Sequence, residues 1–401
     1  MIPSINSNPI RHTPITGRQP VIKVLGLGGG GCNAVNRMIE LQMSGVQFIA
    51  ANTDHQALSS CQAPTKVLLG AHSTRGLGAG GKPEVGEAAA EESFRELASA
   101  LNGADMVFLA AGMGGGTGTG SIPIAARVAR ALGAVTIAIV TTPFSFEAGR
   151  RQRNAQQGLE KLRKYTNTLI TVPNDRLLYV APRDLPLEMA FRLADDVLRQ
   201  GIQGIAELIT ETGLINVDFA HIRRLMEMGG GSLMSIGQGV GEKKARKAIE
   251  QALHHPLLES VNLENAAGMI ANFTGGSDLT FLEVTEALTY LQEQAGNHAE
   301  IIPGVTNDDR MEDRAQVILV ITGLGGTPID EALPVSESDP AVLQLTPAEI
   351  HQTTAVAPSI PIPNLSQPAL PQVELATTMT NRDIPAFMRR RYRVEGGAIN
   401  G

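Results

Sequence analysis

The chain of 401 residues contains no tryptophan, and aromatic residues make up only 3% of it. It also lacks any excess of positive charge. The 33 Lys and Arg stand against 40 Asp and Glu, a formal net charge of −7. An acidic chain poor in stacking rings is unsuited to nucleic acid, whose backbone demands cations. No apolar run reaches the roughly 18–20 residues needed to cross a bilayer. Residues 1–20 hold no apolar stretch of signal-peptide length. The only cysteines, Cys32 and Cys61, form neither a disulfide framework nor a metal-ligand spacing. These absences predict a cytoplasmic protein with no nucleic-acid partner and no transmembrane segment.

What is abundant is glycine, at 43 residues or about 11%, where roughly 7% is usual. The glycines cluster without a three-residue period, which excludes collagen. A hydrophobic content of 43% supports real cores and excludes global disorder. At about 100–200 residues per domain, the length predicts two or three domains.

From residue 21 short apolar runs alternate with helical patterns. Strands are expected at Val21–Leu27, Val46–Ala51, Met106–Ala111, Val135–Thr142 and Thr168–Val172. Helices are expected at Cys32–Met43, Pro83–Leu101, Ser121–Leu132 and Glu147–Tyr165. Such alternation predicts an α/β fold with a doubly wound, mostly parallel sheet over residues 21–187. Apolar residues from Ala190 to Ile209 recur every three or four positions, so 188–212 reads as a long helix buried between two units. Residues 213–326 read as a smaller α+β domain, with helices at Asp218–Met228, Glu242–His254 and Phe281–Gln294. Its expected strands are Ala266–Phe273, Ile301–Thr306 and Ala315–Thr322. Residues 1–20 read as a disordered arm and 327–380 as a proline-punctuated linker without Lys or Arg. Residues 381–401 hold Ile384, Phe387 and Met388 beside Arg389, Arg390, Arg391 and Arg393, a tethered docking tail.

Three glycine clusters carry the chemistry. The first, Gly26-Leu-Gly-Gly-Gly-Gly31, lies between an expected strand and helix and fits G-x-G-x-x-G, suited to phosphate at a helix N-terminus. Alone it also fits a tight turn, or a nicotinamide site with Asp54 as the ribose acid. The second, Gly112-Met-Gly-Gly-Gly-Thr-Gly-Thr-Gly120, has the same setting. Two such loops in one domain point to a longer phosphate chain, because glycine lets backbone amides approach phosphate oxygens. The third, Gly76-Leu-Gly-Ala-Gly-Gly-Lys82, nearly matches a P-loop but places Pro83 where Ser or Thr is required.

The runs Gly28-Gly-Gly-Gly-Cys-Asn-Ala-Val35 and Gly114-Gly-Gly-Thr-Gly-Thr-Gly120 together resemble the tubulin/FtsZ superfamily of GTPases, and its bacterial FtsZ branch in particular. The segments Asn52-Thr-Asp54, Pro143–Glu147, Pro173-Asn-Asp175, Asn216-Val-Asp218 and Asp383-Ile-Pro-Ala-Phe387 follow the same pattern. The resemblance spans about residues 21–324 plus the tail. It implies GTP or GDP as ligand, with Mg2+ accompanying it. Gly29, Gly30, Gly31, Cys32 and Asn33, with Asn52, would surround the nucleotide on one side. Gly114, Gly115, Gly116, Thr117, Gly118 and Thr119 would wrap the phosphates on the other. Gly78, Ala79 and Gly80 would lie by the γ-phosphate, and Glu147 and Arg151 would contact the ribose and phosphate region. Asn174 and Asp196 would contact the guanine. A carboxylate suits that edge, since it accepts from two N–H groups. Without the resemblance, Asp196 reads as a solvated helix charge, and Glu147 with Arg151 as an i,i+4 surface pair.

The resemblance further implies self-assembly. Asn216 and Asp218 would enter the nucleotide pocket of the next subunit, a head-to-tail contact that makes a filament when it does not close. Hydrolysis would follow assembly, in a division ring at the septum, with the tail bound to membrane-attached adaptors. The family pattern has two acids here; this chain has Asp218 and then His221. Asp218 would polarise the attacking water or its cation, and Asn216 would orient it. Neutral imidazole can accept a proton, but it cannot recruit a cation as a carboxylate does. Taken alone, Asp218 reads as a helix cap. Two other functions remain open: a nucleotide-binding structural polymer with impaired hydrolysis, and an NAD-dependent oxidoreductase.

Overall fold

The structure is a computed structural model that describes residues 19–147, 149–178, 184–210, 218–228, 231–255, 263, 266–295 and 299–324. Contacts divide the chain into two units, 1–353 and 354–401, and the second lies wholly outside the described residues. So do the expected linker, docking tail and all but the last two residues of the expected arm.

The first half runs β1 (Ile22–Leu27), α1 (Gly28–Glu40), β2 (Val46–Asn52), α2 (His55–Ser60), β3 (Thr65–Leu68), α3 (Pro83–Glu92), α4 (Phe94–Leu101), β4 (Met106–Gly112), α5 (Thr117–Ala131), β5 (Val135–Thr142), α6 (Gly149–Arg163), β6 (Thr168–Pro173) and α7 (Asn174–Leu177). The long helix α8 (Leu187–Thr210) leads into the second half. That half contains α9 (Phe219–Glu227), β7 (Gly231–Val240), α10 (Lys244–Leu253), β8 (Gly268–Gly275), α11 (Phe281–Ala295), β9 (Glu300–Asn307) and β10 (Arg314–Leu324).

All ten strands join one sheet in the order β3-β2-β1-β4-β5-β6-β7-β10-β8-β9. The first six pair in parallel, as their apolar runs predict for strands covered on both faces. β10 pairs antiparallel with β7 and β8, and β9 parallel with β8. The strands of the second half continue this sheet through a short joint, Leu169 opposite Gly231 and Ile170 opposite Ser232.

Alternate residues of each central strand feed opposite cores. Val24, Phe108 and Ile139 pack with α1, α8 and α9, while Leu25, Leu109 and Val140 pack with α4, α5 and α6. The first of these cores also takes in Ile270, Ile302, Ile318 and Val320 from the second half, and α8 lies within it with Ile202 and Ile205 fully buried. Helix α8 (Leu187–Thr210) thus lies in a core shared by both halves.

Some elements differ from expectation. The stretch 83–101 is two helices, because the Ser93 hydroxyl turns to the 68–70 backbone and accepts from Gly70 N–H at 2.9 Å. α1 and α5 begin four residues earlier than expected, inside the glycine clusters. α2, β3, α7 and β7 carry too little apolar periodicity to be read from the sequence.

Candidate functional site

In an open parallel sheet, ligands sit at the carboxyl ends of the strands where the strand order reverses. Here that point lies between β1 and β4, which pair side by side while their neighbours run outward to β2 and β5. The first and second glycine clusters connect these two strands to α1 and α5.

Both helices start without a side-chain cap and without an acidic residue in the first turn. The contrast with α2 and α9 is direct, since Asp54 and Asp218 cap those. The helix ends also touch: a Cβ on Gly28 would stand 2.8 Å from the Gly118 nitrogen. Two uncapped helix N-termini at one point offer backbone N–H groups and positive dipole ends to a single anion.

The glycines divide into two kinds. A Cβ on Gly31 would collide with the Ala110 carbonyl, and one on Gly26 with Gly31. Gly116 has no room beside Ala79 and the Lys82 backbone, and Gly118 none beside the Gly112 oxygen. Gly26, Gly31 and Gly118 let α1 and α5 lie directly on the strand backbones, and Gly116 admits the 79–82 loop. Around Gly29, Gly115, Gly80 and Gly81, by contrast, nothing stands within 4 Å of a Cβ. The protein's own packing does not call for glycine at Gly29 and Gly115, so a molecule outside the chain explains them. Gly78 and Gly80 have φ of +84° and +57°, which glycine adopts without strain.

The three clusters form one surface. Thr53 and Thr117 share a hydrogen bond of 2.6 Å between hydroxyls. Ala79 is buried against Gly116. Thr119 does not point outward as a free donor; its buried hydroxyl accepts from Gly114 N–H at 2.7 Å. Asn154 was not singled out by sequence reading. Its side-chain amide donates to the Gly114 carbonyl at 3.1 Å and reaches that of Gly81 at 3.4 Å, tying the second cluster to the third.

Glu147 is nearly covered and takes the Phe144 N–H on one carboxylate oxygen and Arg151 on the other. The two residues form the i,i+4 pair, with Glu147 covered and Arg151 half exposed. Cys32 and Asn52 are buried beneath α1, whereas Gly29 and Asn33 lie exposed along one side of it and Arg37 follows one turn later.

Beyond Arg37 the site acquires buried polar atoms without partners. The Asn174 Oδ1 is buried with no hydrogen bond, and so is the Arg37 Nε. Asp196 is engaged elsewhere: Arg199 donates to it at 2.7 Å and Gln200 at 2.6 Å. Burial would raise its pKa, but these donors prevail and hold it below the ordinary value. Arg37 acts to lower the pKa of both Asp196 and its neighbour Asp195. Burial pushes the Asp195 carboxyl up to about 7, against the opposing pull of Arg37. Phe191 lies one helical turn before Asp195 and meets Phe144 edge-on at 5.5 Å between ring centroids. Asp195, Arg37 and Phe191 were not singled out in the sequence, where the family resemblance pointed to Asp196 alone on α8.

Asp54 is not a free ribose acid. Its Oδ1 accepts from Gln56 and Ala57 N–H as the cap of α2. Asp218 likewise caps α9 through Ala220 N–H at 3.1 Å, and His221 lies exposed in the same turn. Asn216 lies outside the described residues. α8 starts near the carboxyl ends of the strands and spans about 36 Å over its 24 residues. It ends at Thr210, against Gly45 at the entry to β2. The last turn of α9 meets the entry to β6, where Thr168 donates to the Met226 carbonyl at 2.9 Å. The glycine clusters thus lie at the carboxyl ends of the strands, while α9, which Asp218 caps, packs its last turn at the entry end of β6.

Residues 21–182 match the GTPase domain of the Tubulin/FtsZ family, and residues 230–325 the C-terminal domain of the FtsZ family. The chain belongs to the FtsZ family. Its structure is similar to an empty FtsZ dimer from M. jannaschii at 43% sequence identity, with a TM-score of 0.74 over 76% of this chain and 89% of that one. A single-site mutant of FtsZ from M. jannaschii matches at the same identity and TM-score, over 76% of this chain and 92% of that one. The fold also extends to CetZ2 from Haloferax volcanii, a GTPγS-bound protofilament, at 19% identity and a TM-score of 0.64, over 78% of this chain and 96% of that one. The glycine-lined edge described above lies within the GTPase domain. Among the described residues no helix is long and apolar enough to cross a membrane.

Proposed function

We propose that this FtsZ-family chain binds GTP at the paired glycine clusters and assembles head to tail. Hydrolysis then takes place where one subunit's Asp218 meets the next subunit's phosphates. One observation carries the reading: two uncapped helix N-termini with open glycines lie at the carboxyl ends of the strands, while the helix that Asp218 caps packs at the entry end of β6. No single chain can bring the two together, but a second copy can. That contact is heterologous and propagates as a filament.

Backbone N–H groups of the first turns of α1 and α5 hold the phosphates, with the 76–82 loop closing over the last of them. Magnesium, which favours phosphate oxygens and water, would ride on the nucleotide and neutralise its charge. Asn174 and Asp195 support a guanine at the inner end of the site. The buried Oδ1 of Asn174 needs a donor, and the carboxylate of Asp195 can accept from two N–H groups of the base. Asp195 joins Asp196, whose carboxylate accepts from Arg199 and Gln200 and keeps acceptor sites for the base. Asp218 of the incoming subunit polarises the attacking water, and Asn216 orients it. The family setting supports a cytoplasmic filament at the division septum, bound to membrane-attached adaptors through Ile384, Phe387 and Met388.

His221, standing where the family pattern has a second acid, favours a second reading: a nucleotide-dependent polymer with slow hydrolysis. Light scattering and phosphate release under GTP separate the two. Scattering with phosphate release supports a GTPase filament. Scattering without phosphate supports the second reading, and neither signal rejects both. A His221→Ala variant that turns over like the wild type at every pH removes histidine from the chemistry.

A further inference from the structure

Cys32 and Cys61 are 29 residues apart in sequence and lie together beneath the first glycine cluster. The Cys61 Sγ is 3.9 Å from the Cys32 carbonyl oxygen, close enough for each thiol to shift the titration of the other. Both are free and buried. Their surroundings differ. Cys61 ends α2, where the neighbouring Cys32 thiol, the start of the 62–63 backbone and the Lys66 cation all favour its thiolate. Against the cost of burial, these hold Cys61 down at about 6. Cys32, beside that thiolate and buried, is pushed upward. When protonated, Cys61 donates instead to the Asn36 Oδ1 at 3.1 Å. A thiolate beside a second thiol can react with a peroxide and then be resolved by its neighbour.

We propose that Cys32 and Cys61 are an oxidation site: hydrogen peroxide converts them to a reversible intramolecular disulfide that weakens nucleotide binding at the adjoining glycine clusters. The Cys61 thiolate attacks one peroxide oxygen, the O–O bond breaks, and a sulfenic acid and hydroxide form. The Cys32 sulfur then attacks the Cys61 sulfur. The S–O bond breaks, and the departing hydroxide leaves as water with the Cys32 proton. Two thiols lose two electrons, and one peroxide becomes two waters. A dithiol reverses the bond by exchange. Access comes from α2, a helix of six residues next to the edge strand β3, where local opening is easiest.

The consequence for binding follows from the connections. A disulfide must bring the sulfurs to about 2.05 Å, drawing the end of α2 towards the first turn of α1. The Asn52 amide contacts the Cys32 sulfur at 4.0 Å, and its Oδ1 holds the Asp54 N–H at 3.2 Å. Asp54 in turn bridges to Leu77 in the third cluster. Movement at the thiols is therefore passed to two of the three clusters. This second half of the proposal rests on the nucleotide reading above; the thiol chemistry does not.

The test uses the full chain, reduced or treated with hydrogen peroxide. Both thiols should vanish from titration, the Cys32 and Cys61 peptides should be recovered cross-linked in the monomer, and dithiothreitol should reverse both changes. GTP should bind roughly tenfold more weakly to the oxidised form, within the usual range for coupled sites. Cys61→Ser and Cys61→Ala should each bind GTP alike before and after peroxide; two variants guard against misfolding in one. Persistent thiols, disulfides between chains, or an oxidised monomer with unchanged GTP affinity would overturn the proposal. A reduced wild type that binds no GTP would overturn the nucleotide reading and the second half together, while the cross-linked peptide still decides the first.

Discussion

Gly29 and Gly31 stand two residues apart in one helical turn and serve different ends. Gly31 lets α1 rest on the β4 backbone, while Gly29 faces open space. Gly31→Ala should therefore prevent proper folding, seen as loss of a cooperative melt. Gly29→Ala should leave the empty protein as stable as before or up to about 1 kcal/mol more so, through better helix propensity. It should nonetheless weaken GTP binding in calorimetry. Asp195 allows a second prediction. Its carboxyl sits at about 7 in the folded chain and near 3.9 when unfolded. Between these values the folded state keeps a proton that the unfolded state has released. Stability of the empty protein should thus fall as pH rises from about 4 to 7, and Asp195→Asn should flatten that slope. Guanine binding favours the charged form, so GTP should bind more tightly at pH 8 than at pH 6, with proton release detectable by titration in buffers of different ionisation enthalpy. Losing hydrogen bonds to a charged group costs about 1.5–3 kcal/mol, so Asp195→Ala should weaken GTP binding roughly 10- to 100-fold. The glycine clusters were visible in the sequence, but not the division of labour within them, which depends on what lies across the gap.

Elements were legible where burial was uniform and obscure where backbones touch. β5 matches its expected span, Val135–Thr142, because every residue but the last is buried. β7, in contrast, reads Gly-Ser-Leu-Met-Ser-Ile-Gly-Gln-Gly-Val. Its Gly237 and Gly239 lie so close to the α10 backbone that any Cβ would collide with it. The same closeness that makes β7 a strand removes the residues by which strands are recognised. α8 was legible because its stripe is long and unbroken. Ile205 is fully buried there in the core shared by both halves. Ile205→Ala should cost about 2–5 kcal/mol. In denaturant it should lower the unfolding midpoint of the whole described unit in a single transition, whereas separate transitions would show that the halves fold independently.

At the scale of the molecule, the separation of the half-sites predicts complementation. Asp218→Ala keeps its pocket, and Gly29→Ala keeps its acid. Each variant alone should release phosphate slowly. Mixed in equal amounts, they should exceed the average of the two, because some joints pair an intact pocket with an intact acid. A mixture no faster than that average would argue for a site complete within one chain. The sequence announced this arrangement only through resemblance. Spacing along the chain does not tell which edge of a sheet a residue reaches, and Asp218 taken alone is an ordinary helix cap.

The joint between β6 and β7 has a mechanical consequence. Neighbouring central strands are stitched over six or seven positions, but this seam is stitched over two. A crack in the sheet would open here first, and α8 would act as the splint that bridges it. Amides of Leu169, Ile170 and Ser232 should exchange with solvent sooner than those of β1 and β4. Any strain transmitted along an assembled chain of subunits would be felt earliest at this line, where the sheet yields before its cores do.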